Sequence, residues 1–552
     1  MKRIRIIFSV LFIAFWGFPF SGRAQLTEKQ RFEISKNLDI YNSLFSELNL
    51  HYVDTLNAEE LIPKDIDYLL QRLDPYTEYI PKEEMTDFQF MTTGEYGGIG
   101  SIISLRNNKI IIAEPYEGMP AALAGLIPGD EILAIDGENM KDKAISYISG
   151  HLKGQPNTTF TLQYQRIGEK EPREVTLERK RIHINPVTYY TVLKNNIGYI
   201  YLSDFTTQSA SAVKEALLAL KNKGITSLIL DVRNNGGGVV EDCLEMLNFF
   251  LPKGELLLTM KGRTPQTNHE YRAETAPVEP KLPLAILVNG HSASASEILS
   301  GTVQDADRGV IVGSRTYGKG LVQSSRPLPY DGKLKLTTAR YYIPSGRSIQ
   351  AIDYANRDED GRAIAIPDSL TKEFYTKNYR PVRDGGGILP DFVVEEKTPT
   401  LLLYLEAKRM FFDFVSEWRA THPEIADAEN LVITDTLYNE FKNFVNSHDF
   451  TYDRQSEKAL ESLKKVMEFE NYYEAASEEF QALADKLKPD LNRDFELYKR
   501  QIFNHLGMQM AKQYYYHKGQ LIYALRDDDV LNKAIEVLSD PATYKNTLTG
   551  KK

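Results

Sequence analysis

Between residues 197 and 394 apolar runs of strand length alternate with helical patterns, and this alternation constrains the fold more than any other feature of the chain. Strand-like runs at 198–202, 227–232, 284–288 and 310–313 interleave with helical patterns at 210–222 and 293–304. Parallel strands need long crossovers, and helices supply them, so the pattern predicts an α/β core around a largely parallel central sheet. The flanks have other periods. From 27 to 95 apolar residues such as Ile34, Leu38, Tyr41, Leu44, Phe45 and Leu48 recur every three or four positions, which predicts helices until Leu73-Asp74-Pro75-Tyr76 breaks the pattern. Residues 94 to 182 read as a small β-rich module, with strand-like stretches at 102–103, 109–113 and 131–135 and a turn at Ile127-Pro128-Gly129-Asp130. Beyond residue 400 the period returns to helical, as in Leu460, Leu463, Val466 and Met467. The expected fold class is multidomain α/β, with a helical N-terminal region, a small β-rich domain, an α/β core and a helical C-terminal extension.

At 552 residues the chain has room for three or four units of about 150 residues each. Its 42% hydrophobic and 26% charged residues are those of a globular protein. One cysteine, Cys243, excludes an internal disulfide and a Cys-rich zinc or iron–sulfur site, so stability must come from packed cores. The net charge of −10 includes Lys2, Arg3, Arg5 and Arg23; without these four cations it is −14, which disfavours a nucleic-acid partner. Those cations flank an apolar run from Ile6 to Phe20, and small residues stand at Gly22 and Ala24. Residues 1–24 therefore read as a secretory signal peptide cut before Gln25, with an apolar run too short for a stable membrane span. The expected product is exported, and periplasmic in a Gram-negative source.

Three segments carry chemistry. The first is Asn289-Gly290-His291-Ser292-Ala293-Ser294-Ala295-Ser296-Glu297, between a buried strand and a helix. Ser294 with Glu297 three residues on fits a capping box, but a serine at a helix N-terminus also exposes its hydroxyl where the Ala295 amide can meet a developing oxyanion. The second is Thr316-Tyr317-Gly318-Lys319-Gly320-Leu321-Val322-Gln323. A lysine activates a serine only as the free amine, and the apolar runs beside Lys319 favour the burial that lowers its pKa. In an extended strand, positions 319, 321 and 323 share a face, which makes Gln323 a candidate to orient the amine. His291 is a surface or packing residue, since no acidic residue stands in a triad context for it. The third is Asp231-Val232-Arg233-Asn234-Asn235-Gly236-Gly237-Gly238, whose glycines place backbone amides at the carboxyl end of a parallel strand. A P-loop reading of Gly313–Lys319 fails, because Gly320 replaces the magnesium-binding hydroxyl and Pro327 and Pro329 preclude the following helix. No HExxH motif occurs, so neither a metal nor another cofactor is expected.

Ser294-Ala-Ser-Glu-Ile, Gln304-Asp305 and Gly318-Lys319-Gly320 with Gln323 resemble the signature of the C-terminal processing, or tail-specific, proteases, which use a Ser-Lys dyad. The spacings of 25 residues from Ser294 to Lys319 and four to Gln323 match, as does Leu389-Pro390-Asp391 near the end of the core. The resemblance spans about residues 40–395. It implies Ser294 as nucleophile, Lys319 as general base, Gln323 as the residue orienting it, and the Ala295 and Gly238 amides as the oxyanion hole, with Gly237 the alternative to Gly238. Asp305 falls where some members carry an aspartate that affects activity, but its distance of a helix length from Ser294 favours a structural place. The β-rich module then resembles a PDZ domain, in which Gly98, Ile99 and Gly100 would cradle a peptide carboxylate and residues 102–103 would open the strand that the peptide joins. The implied divisions are a signal peptide (1–24), a helical region (25–93), a PDZ domain (94–182), an S41-type protease core (183–398) and a helical extension (399–552). The implied partners are protein or peptide substrates with free C-termini; homo-oligomerisation is left open. The alternative function is a catalytically silent PDZ scaffold.

Overall fold

The computed structural model describes residues 27–395, 398–488 and 490–550; the expected signal peptide lies outside them. The centre is a six-stranded sheet in the order Tyr189–Leu193, Ile197–Tyr201, Ser227–Asp231, Leu284–Val288, Val310–Gly313, Phe392–Val393. All neighbours are parallel except the first pair. Every residue of the four middle strands is buried, which is why they read as continuous apolar runs without alternation. Tyr201 pairs with Asp231, Asp231 with Leu287 and Val288 with Gly313, so the carboxyl ends of these strands line up and their exit loops share one edge.

The two faces of this sheet have different covers. Ile200, Leu230, Ile286 and Ile311 face the helices Ser209–Asn222, Val240–Leu247 and Ala295–Asp305. Helix Ser209–Asn222 presents Ala210, Val213, Ala216, Leu217 and Leu220 on one side, the spacing of a single buried stripe. The other face carries Tyr199, Ile229, Leu287 and Val312, and its cover is helix Asp529–Ser539 from the far end of the chain, through Val530, Leu531, Ala534, Ile535 and Leu538. Each large apolar side chain buried there contributes roughly 1.5–3 kcal/mol before entropy is set against it. The helical extension thus completes the core as well as following it.

A second, antiparallel sheet pairs Leu256–Gly262 with Lys333–Tyr342, and Leu321–Pro327 joins the latter strand. Its edge is Glu78–Ile80, a three-residue strand inside the N-terminal stretch that reads as helical by period. That stretch otherwise holds helices Glu28–His51, Ala58–Gln71 and Met85–Thr93.

The β-rich module is a sheet in the order Ser101–Arg106, Lys109–Pro115, Glu131–Ile135, Thr159–Gln165, Arg173–Glu178, with helix Ile145–Leu152 beside it. Ile112, Ile148, Leu162 and Leu177 fill its core. Glu95–Gly98 pairs antiparallel with Lys180–His183, so the chain enters and leaves the module at one point. The C-terminal helices have their own core around Phe411, Phe414, Phe441 and Phe495 and meet the module through the ion pairs Arg106–Asp413 and Lys512–Glu114. Among the described residues no helix is long and apolar enough to cross a membrane.

Candidate active site

The three segments singled out by sequence meet at the aligned carboxyl ends of the central strands. Ser294 is the N-cap of helix Ala295–Asp305, with φ +55° and ψ −112°, a conformation that costs an L-residue on the order of 1–3 kcal/mol. Surrounding bonds hold it there. The Glu297 carboxylate accepts from the Ser294 amide at 2.9 Å, and the Glu297 amide donates to the Ser294 carbonyl at 2.9 Å. Ser292 and Ser296, the neighbouring hydroxyls, are tied down: Ser292 Oγ donates to Val232 O (2.8 Å) and Ser296 Oγ to Asn235 O (2.9 Å). They peg the serine loop to the glycine loop.

The glycine loop presses against the nucleophile candidate. A Cβ on Gly237 would sit 2.8 Å from Ser294 Cβ, and one on Gly238 would sit 2.0 Å from Phe205 O; both residues have positive φ, so only glycine fits. The Gly237 amide donates to Asn235 Oδ1 at 2.9 Å. Among the described residues the Gly238 and Ala295 amides have no acceptor. The loop is anchored at its start by Arg233, which donates to Asp231 and to Asp528 of the helical extension.

Lys319 precedes strand Leu321–Pro327 and is partly buried. Burial lowers its amine, and the Lys335 charge lowers it further, against Glu297, Asp74 and Glu78, which act the other way; the result is a pKa of about 8. Glu297 is the residue that sequence reading assigned only to the capping of Ser294. Fully buried, it also accepts from Thr316 Oγ1 (2.6 Å), the Gly318 amide (2.7 Å) and the Lys319 amide (2.9 Å). Its own pKa is raised by burial, which those four donors oppose. Tyr341, which no pattern marked, donates from its hydroxyl to Ser294 O at 3.2 Å and to Lys319 O. One carboxylate and one phenol therefore hold the backbones of Ser294 and Lys319 together.

Among the described residues no hydrogen bond joins Gln323 to the Lys319 amine. Lys319 precedes the strand, which begins at Leu321, so strand alternation does not set its facing relative to Gln323; the register shift beside Gln323 comes from an extra residue, Thr338, in the partner strand. The Gln323 amide instead donates to Thr337 Oγ1 at 3.1 Å. His291 is exposed. Asp305 is buried in an ion pair with Arg347 (2.9 Å) and accepts from the Ser345 amide, at the opposite end of the helix from Ser294.

In the β-rich module Gly100 has φ +70°, and a Cβ there would sit 2.4 Å from Met119 Cβ. Ile99 is buried in the module core, while Ser101–Arg106 is an edge strand with its other side paired to Lys109–Pro115. The Tyr96 phenol lies at the Gly100 and Ser101 amides; burial pushes it up to about 12, and those amides oppose the rise.

This arrangement defines a peptidase-like α/β core with an inserted module and a helical extension, and family comparison agrees. Residues 196–356 match the model of peptidase family S41, residues 111–166 a PDZ domain, and residues 401–538 the C-terminal helical domain of probable PDZ-proteases. The PDZ match begins after Gly98–Gly100. The carboxy-terminal-processing protease of Bartonella bacilliformis is 34% identical over 321 residues, which cover 57% of this chain and 73% of that protein. A probable CtpA-like serine protease of Staphylococcus aureus is 32% identical over 318 residues, 57% of this chain and 62% of the relative. Among solved structures, the photosystem II D1 C-terminal processing protease has 27% identity and a TM-score of 0.33, covering 58% of this chain and 84% of that one. A putative S41 protease from Bacteroides fragilis has 16% identity and a TM-score of 0.37, covering 66% and 91%. The chain belongs to peptidase family S41, among the carboxy-terminal-processing proteases.

Proposed function

We propose that this protein is an exported serine endopeptidase that captures free C-terminal tails in its PDZ domain and hydrolyses peptide bonds through an acyl-enzyme formed on Ser294. The observation that carries the reading is the joint hold of Glu297 and Tyr341 on the backbones of Ser294 and Lys319. Lys319, as the free amine, takes the Oγ proton while Oγ attacks the carbonyl carbon, and the ammonium then gives that proton to the departing amine. Water repeats the sequence on the ester. The Gly238 and Ala295 amides, without other acceptors, receive the oxyanion; the Gly237 amide is already engaged. Gln323 is the residue that orients the base, its own amide held by Thr337 Oγ1. The basic, apolar and small-residue order of residues 1–24 supports export, to the periplasm in a Gram-negative source. The edge strand Ser101–Arg106 and the Gly98–Gly100 turn support capture of a tail by strand addition.

The test is mass spectrometry of a peptide library with free and amidated C-termini, incubated with wild type, Ser294→Ala and Lys319→Ala. Cleavage of free-acid peptides by wild type alone is expected, together with fluorophosphonate labelling that Ser294→Ala abolishes. Ser292→Ala and Ser296→Ala should stay active, each losing a hydrogen bond worth about 1 kcal/mol of stability. Turnover by purified Ser294→Ala would overturn the assignment, and an inert wild type would leave a PDZ scaffold.

A further inference from the structure

The Lys319 amine lies against an aromatic face that the reaction as proposed does not use. Its Nζ is 4.5 Å from the centroid of the Tyr76 ring. The ring is brought there by the short segment that interrupts the N-terminal helices. The Asp74 carboxylate turns the chain by accepting from the Tyr76 and Thr77 amides, both at 2.8 Å, and Glu78–Ile80 then pairs with Lys333–Tyr342. The Thr337 amide donates to Thr77 Oγ1 at 3.2 Å, and Gln323 donates to Thr337 Oγ1, so the strand following Lys319 fixes the same segment. At its far end the phenol oxygen is 3.2 Å from that of Tyr354.

The charges facing Lys319 are otherwise committed. Lys335 is paired with Glu78 at 2.7 Å, Asp74 is saturated by Tyr76 and Thr77, and Glu297 accepts four hydrogen bonds. The phenols of Tyr317 and Tyr354 complete the surroundings. Among the described residues no carboxylate forms an ion pair with Lys319. Proton abstraction from Ser294 nevertheless creates a cation in this partly buried place. A carboxylate in contact would hold a neighbouring base protonated, shifting it by about 1–3 pH units, whereas an aromatic face attracts a cation more weakly.

We propose that Tyr76 is a positioning residue for the proton transfer, its ring face receiving the ammonium that Lys319 becomes on taking the Ser294 proton. The inference rests on the dyad reading. The face favours the ammonium over the amine, and so lowers the barrier to abstraction without keeping the base protonated at rest.

Two substitutions separate the ring from its hydroxyl. Tyr76→Phe keeps the face, and its kcat/KM should stay within about twofold of wild type with an unmoved acid limb. Tyr76→Leu keeps an apolar filling without the face; kcat should fall about tenfold, and the acid limb should move down by roughly half to one pH unit. The Lys319 amine, followed by NMR of labelled lysine in a Ser294→Ala background, should titrate lower by the same amount when Tyr76→Leu is added. Tyr76→Met serves the same comparison if the leucine variant does not fold, as judged by circular dichroism. An acid limb and an amine titration that stay put or move up in a folded variant overturn the proposal, as does a tenfold loss in Tyr76→Phe. Turnover by Lys319→Ala would instead sink the dyad, so the two failures are distinguishable.

Discussion

Arg233 and Asp528 stand 295 residues apart in the chain and meet at 2.6 Å between Nη2 and Oδ2, while the same nitrogen donates to Asp231 at 2.7 Å. The guanidinium is shared between the root of the glycine loop and the N-cap of helix Asp529–Ser539, where Asp528 also accepts from the Leu531 amide. Asp528→Asn keeps the cap, since asparagine caps as well as aspartate, but leaves the buried cation with one carboxylate. The expected cost is about 3 kcal/mol in chemical denaturation, with kcat falling more than KM rises because the Gly238 amide loses its anchor. An unchanged denaturation midpoint would show that the contact is not energetically coupled to the loop.

The pH dependence follows from the lowered Lys319 amine. Only the free amine accepts a proton, so kcat/KM should rise with pH and level off above about 8. A histidine base would place the rise near 6.5. Lys335 is one of the causes that lower the amine, so Lys335→Met should move the rise to higher pH. A pH–rate profile of both proteins checks the sign.

Glu297 supports the site through four accepted hydrogen bonds, from Ser294, Thr316, Gly318 and Lys319. Glu297→Gln places an amide NH2 among donors, where it cannot accept. Stability should fall by about 1–3 kcal/mol, and activity by two orders of magnitude or more as Ser294 leaves its strained conformation. Steady-state rates and denaturation midpoints on the same preparation test both.

Gly100→Ala forces a Cβ to 2.4 Å from Met119 at a φ of +70°. The turn should open, and any preference for free-acid over amidated peptides should disappear, with hydrolysis of a short untethered peptide little changed. Equal rates for the two peptides on wild type would show that the module does not read the carboxylate.

The legible parts of this fold are those where local pattern and tertiary context agree. Leu284–Val288 and Val310–Gly313 announce themselves because strands covered on both faces must be apolar throughout. The helices Ser209–Asn222 and Ala295–Asp305 lie within two residues of the expected limits. Glu78–Ile80 was illegible, since three residues hold no period and its partner strand lies some 250 residues away. The same separation hid Tyr76. The partner of Gln323, Thr337 on the neighbouring strand, was hidden because cross-strand register leaves no mark in composition. Glu297 was visible as a cap, and its hold on Lys319 needed the third dimension.

The cover that helix Asp529–Ser539 provides has a temporal side. A chain that emerges amino-terminus first builds residues 197–313 long before residues 530–538 exist, so one face of the central sheet must wait, bare, for its cover. Arg233 waits with it. Until Asp528 arrives, Arg233 at the root of the loop bearing Gly238 has Asp231 but not its second carboxylate. Distance along the chain thus sets an order of assembly, in which the last helices to be synthesised close the sheet.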